Sequence, residues 1–135
     1  IKSKYSFSIR IKHMSSLSFN RKAICSIYLI LAFLGLLLPT LANIDFVRTY
    51  GGTFDLINFI SLANSNPASQ SLSRDLLIGS SAIFFWMCIE AKRLKIKYFW
   101  FIILTTFLIA FAFSTPMFLL FRELRLQQIE DQNNP

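Results

Sequence analysis

A single histidine, His13, stands in the whole sequence, and acids are few: 7 Asp and Glu against 14 Lys and Arg, a formal net charge of +7. With so little imidazole and carboxylate, no His/Cys/carboxylate cluster has metal-ligand spacing and no base–nucleophile constellation stands out. Glycine is scarce too. The 4 glycines leave no Gly-rich phosphate loop, and the pair Gly51–Gly52 reads as a turn. Both cysteines, Cys25 and Cys88, fall inside apolar segments, which argues against a disulfide framework and reads them as small packing residues. No catalytic, cofactor-binding or metal-binding residue is nominated, no cofactor is expected, and the chain is read as a non-enzyme.

Charge is absent from two long runs. "AICSIYLILAFLGLLLPTLA", Ala23 to Ala42, has the length of a spanning helix. A signal peptide would share its basic start and its small residues near Ala42, but the apolar part is too long for such a core. "YFWFIILTTFLIAFAFSTPMFLLF", Tyr98 to Phe121, is also uncharged and long enough to span with tilt, with Tyr98 and Trp100 placed like an interfacial belt. Pro39 and Pro116 predict bends, freeing the carbonyls of Gly35 and Ala112.

Between these runs lies a shorter one. Leu76 to Ile89 is uncharged but flanked by Asp75 and Glu90, and alone it covers about 21 Å of a hydrocarbon core about 30 Å thick. "NSNP" resolves the shortfall. Asn66 as N-cap and Pro67 at the first helical position predict a helix from about Pro67 to about Leu94, long enough to span. Upstream of it, "FDLINFISLA" places Leu56, Phe59, Ile60 and Ala63 on one face, as in a short amphipathic helix lying in the interface. The expected fold is an all-α membrane protein with three transmembrane helices and that interfacial helix between the first and second. Residues 1–22 form a basic N-terminal flank, 23–126 the transmembrane domain and 127–135 a polar C-terminal tail. The flank resembles a transit peptide in composition, and it also reads as upstream frame preceding a start at Met14.

The Lys and Arg residues group by side. The flank and the loop Lys92 to Lys97 carry most of them, and with three spans they share one side. The positive-inside rule then places the N-terminus in the cytoplasm and the C-terminus outside, in a bacterial inner membrane or its equivalent. This charge pattern sits between apolar runs, not along one exposed face, so nucleic acid is not an expected partner. At the outer boundary Asp75 and Arg122 make a candidate ion pair, whereas Glu90, at the inner boundary beside Lys92 and Arg93, reads as a local pair or a solvated helix end. Gly35, Pro39, Gly79, Ala110, Ser114 and Pro116 mark the stripes on which the helices are expected to pack.

The segments "ANSNPASQSLSRDLL", "FFWMCIEAKRLKIKYFW" and "FSTPMFLLFRELRL", in this order and spacing, resemble the small bacterial membrane-protein family catalogued as domain of unknown function 2834. The matching positions are Asn66, Pro67, Asp75, Glu90, Arg93, Trp100, Pro116, Arg122 and Glu123, and the first run with Pro39 fits as well. The resemblance implies a short multi-span membrane protein and carries no catalytic residues over. The expected role is an accessory or scaffold subunit in the lipid bilayer, packing against a larger membrane complex or as a homo-oligomer. The alternative is an oligomeric small-solute or ion permeation component, since three helices rarely enclose a pathway.

Overall fold

The computed structural model describes residues 19–133, and all of its regular structure there is helical. His13, the Met14 start and most of the basic flank lie outside the described residues. Five helices follow one another: α1 Phe19–Tyr50, α2 Leu56–Ala63, α3 Pro67–Leu94, α4 Phe99–Leu108 and α5 Phe111–Asn133. Two of them, α1 and α3, are long and apolar enough to cross a membrane.

Local signals set most of the boundaries. Asp55 caps α2 by accepting from the amides of Ile57 and Asn58 at 3.0 and 3.1 Å. Asn66 caps α3 by accepting from Ser69, and Pro67 follows at the first helical position, where a missing N–H costs nothing. α3 ends on Lys95, held in the left-handed region at φ 53°, with the Ile96 amide closing back on the Ala91 carbonyl at 3.0 Å. Arg125 donates to the Leu94 carbonyl at 2.9 Å. A cation thus covers the negative end of α3 while the chain reverses.

The third apolar run departs from the expected single span. It breaks at Ile109–Ala110 and folds back as a helical hairpin, α4 against α5. Thr106 donates to the Ser114 hydroxyl at 2.8 Å across the turn. Farther from the turn, Phe99 and Phe118 meet edge to face with centroids 5.9 Å apart. In one continuous helix those two rings would stand about 28 Å apart. The Ile109 amide still bonds the Thr105 carbonyl, but the Ala110 amide reaches back to that same oxygen, and α5 starts afresh one residue later.

α5 is consequently the central helix, antiparallel to α1 and α4 and parallel to α3. Along α1 the contact stripe steps through Cys25, Tyr28, Ala32 and Gly35 at alternating three- and four-residue spacing, the spacing of a shallow left-handed crossing. Cys25 packs against Leu120 with Tyr28, Met117 and Leu124 around them. A second cluster joins α3, α4 and α5 through Met87, Ala91, Ile102 and Phe118, with Trp86 edge-on to the Phe118 ring.

This topology brings the far end of α5 to the start of α1, where Arg21 and Glu130 pair. The C-terminal half of α5 returns beside the N-terminal turns of α1, because the hairpin reverses the chain once more than a single span would. α5 runs on as helix through the polar residues 127–133.

Candidate functional site

Ionisable side chains converge where α1, α3 and α5 meet. At the centre is Glu90, 5% exposed. Arg93, one turn along α3, grips it with two bonds of 2.7 and 2.6 Å, the pairing with a neighbour that its sequence context predicts. Arg122 of α5 adds a third at 2.8 Å and lies 5.9 Å from the Trp86 ring centroid. One carboxylate thus accepts from two guanidinium groups, a charge-assisted arrangement that fixes α3 against α5. The chain of charges goes on. Arg122 donates to Glu123 at 3.2 Å, Arg21 of α1 lies 3.6 Å from Glu123, and Arg21 grips Glu130 with two bonds of 2.9 Å. Signs alternate along Arg93, Glu90, Arg122, Glu123, Arg21 and Glu130, so the ladder is neutral.

Asp75 takes no part in this ladder. It is exposed on α3, about 22 Å along the helix from Glu90, while Arg122 is engaged by Glu90. The expected pair Asp75–Arg122 is therefore not formed. It presupposed that α5 leaves at the far end of the bundle, and the hairpin removes that premise. Glu123 and Glu130 are seven residues apart on one face of α5, so their common alignment with Arg21 was a signal in the sequence.

The packing residues divide. A β-carbon at Gly35 would overlap the Ala112 carbonyl and crowd the Phe113 amide, so Gly35 marks the closest approach of α1 and α5. That carbonyl is the one Pro116 frees, and Gly35 carries the one Pro39 frees. Both proline-released oxygens therefore belong to one helix crossing, where Cα–H groups can approach a carbonyl closely. Ser114 is fully buried and also donates to the Phe111 carbonyl at 3.3 Å. Ala110 stands in the hairpin turn, and Pro39 and Pro116 are half-buried within α1 and α5. Gly79 differs: nothing lies within 4 Å of a β-carbon built there, so α3 does not use it to pack within this chain. Among the described residues, no group of three His, Cys, Asp or Glu is placed to hold a metal ion.

At the other end, a groove runs along α1 from Leu36 to Arg48, closed by Phe54 and by Leu108 and Ile109 of the hairpin turn.

The family model described as "Protein of unknown function DUF2834" matches residues 27–124, an interval holding Pro39, Pro116, the turn between α4 and α5, Glu90 and Arg122. No curated protein and no solved structure matches the chain.

Proposed function

We propose that this chain, which belongs to the DUF2834 family, is an integral membrane protein in which α1 and α3 span the bilayer and the α4–α5 hairpin dips in and returns. Its role in this reading is that of a non-enzymatic accessory or scaffold subunit. The observation that carries the reading is the exposure of the two long helices: of α3's apolar side chains, Leu72, Leu76, Leu77 and Ile78 all stay at least 64% exposed. A soluble protein of this size rarely leaves such a surface in contact with water. In a bilayer it faces lipid or neighbouring helices at no cost. The hairpin fits the same solvent, because its turn amides, Ile109 and Ala110, both bond the Thr105 carbonyl within the hairpin.

In this arrangement the ladder end collects Arg21, Lys22, the Lys92–Lys97 cluster, Arg122 and Arg125, while Arg48 and Arg74 lie toward the other end. By the positive-inside rule the ladder end faces the cytoplasm, and the C-terminus is on that side with it. The scaffold reading rests on α3, whose open face offers contact area and small residues to a partner helix and no reacting group.

Cysteines introduced singly at Lys97, Gln132 and Asp55, with Cys25 and Cys88 replaced by Ala, test the topology in intact cells with an impermeant thiol reagent. Positions 97 and 132 are expected to resist labelling together and position 55 to react. Opposite behaviour of 97 and 132 would restore a single third span. For the scaffold role, crosslinking through α3 in native membranes is expected to capture a second protein, and migration of the gently solubilised chain as a lone monomer would count against it. A permeation role finds its support in the non-helical turn at Ile109–Ala110, since broken helices at membrane depth often line pathways. Ion flux through reconstituted vesicles would favour it.

A further inference from the structure

Taking α1 and the hairpin in a bilayer as proposed above, the hairpin is too short to fill its place. α1 rises about 40 Å from Arg21 to Arg48, the distance between two headgroup layers. The hairpin turn, by contrast, reaches only the level of Gly35 and Leu36, where Ala112 meets α1. Beyond it, along about 18 Å of α1, no helix of the hairpin covers the face that carries Leu36, Thr40, Ile44, Val47 and Arg48. That length matches one leaflet's acyl chain. The Phe46, Phe54 and Phe59 rings, packed together with centroids 5.3 to 5.6 Å apart, form a fixed aromatic wall at the groove's outer end.

The lining is graded in polarity. At the inner end Leu36, Leu108 and Ile109 are apolar, and the Thr40 hydroxyl is spent on the Leu36 carbonyl of its own helix at 2.6 Å. Asn43 lies farther out and Arg48 at the mouth. On this helix Asn43 lies about 7 Å below Arg48, which is the relation of ester carbonyls to a phosphate. An anion at the mouth with an apolar tail pointing inward satisfies the whole groove, whereas a packed protein helix would bury the Arg48 charge against apolar side chains.

We infer that the groove holds one anionic glycerophospholipid, its acyl chain lying between α1 and the hairpin turn and its phosphate at Arg48. The test uses the full chain reconstituted in vesicles of equal phosphatidylglycerol and phosphatidylcholine with matched tails, then released gently and weighed with its retained lipid. Wild type is expected to keep phosphatidylglycerol in about tenfold preference, the worth of one charge-assisted contact. Arg48→Gln is expected to lose the preference, Arg48→Lys to keep most of it, and Ile109→Trp, which fills the inner end, to lose the retained lipid. Wild type without preference, or Arg48→Gln with an unchanged one, would overturn the site. Alkaline extraction of the same membranes separates the two claims. Release of the chain overturns the membrane reading and the site together, while a chain that stays embedded without lipid preference overturns the site alone.

Discussion

Around Glu90 the protein supplies its own partners: three helices converge, guanidinium groups surround the carboxylate, and a β-carbon has no room at the crossing below it. Around Gly79 and Leu76, on the same helix α3, the chain supplies almost none: apolar side chains point outward and an added β-carbon meets open space. Both stretches belong to one continuous helix, and what separates them in the fold is whether α5 comes alongside. One end of the molecule is organised by side chains within the chain, and the other is left for whatever surrounds it. A helix read as apolar can therefore be core over one part of its length and outward-facing over the rest.

The largest test of this contrast compares two acids on α3. Glu90→Gln takes the carboxylate from the part-buried Arg122, while the exposed Arg93 turns to solvent, and is expected to cost up to about 3 kcal/mol, in the range for hydrogen bonds to a charged group. Asp75→Asn, on the exposed stretch, is expected to change stability by less than about 0.5 kcal/mol. Thermal unfolding in mild detergent reads both. Equal losses would remove the distinction between the two ends. Adding Arg122→Gln to Glu90→Gln is expected to recover part of the loss, because the second change removes the guanidinium whose Nε has lost its acceptor; strict additivity would mean that the two residues do not act as a unit.

The glycines make the same comparison without charge. Gly35→Ala drives a methyl group into the Ala112 backbone, and is expected to cost about 2 kcal/mol by separating α1 from α5. Gly79→Ala meets nothing and restores helix propensity, so a gain of about 0.5 kcal/mol is expected. A loss at Gly79 in detergent would show that α3 already packs against something there, such as a second copy of the chain.

The start of α3 was legible because capping is local: Asn66 and Pro67 each act within a turn of themselves. Glu90–Arg93 was legible for the same reason. The hairpin was not. "TTFLIAFAFST" contains no glycine and no charge at the turn, and Pro116, the visible breaker, lies six residues past it. Hydropathy reads such a stretch as continuous because the turn is as apolar as the helices it joins. Once the hairpin is missed, the side on which α5 ends is misplaced, and with it the partner of Arg122. The stripe on α1 was partly legible: Gly35 and Pro39 belong to the predicted face, but the contacts continue toward Cys25 and Tyr28. Which end of a small-residue stripe is used depends on where the partner helix lies, and that partner is remote in sequence.

A smaller effect is expected where α3 reverses. Lys95 holds a left-handed conformation that costs an L-residue about 1 kcal/mol and costs glycine nothing sterically. Lys95→Gly is expected to raise stability by about that amount if the reversal matters to the ladder end. An unchanged melting temperature would mean that the turn is formed at no strain, and that Arg125 on the Leu94 carbonyl sets it alone.

The smallest effect lies at the outer rung of the ladder, and it is a pH dependence. The Arg21 guanidinium, hydrogen-bonded to Glu130, holds that carboxyl below its ordinary value of 4.5. A group whose folded pKa is depressed adds stability above its unfolded pKa, and that stability disappears as pH falls through the folded value. Glu130 is open to solvent, so its share is screened and small. Wild type and Glu130→Gln should therefore differ slightly in melting temperature at neutral pH, and the difference should close as pH drops below 4.5. Added salt should shrink it as well. A gap that persisted in acid would mean that Glu130 acts through packing and not through its charge. The tie between α1 and α5 would then depend on Arg21 and Glu123 and on the Gly35 crossing, with the outermost rung carrying no electrostatic part of it.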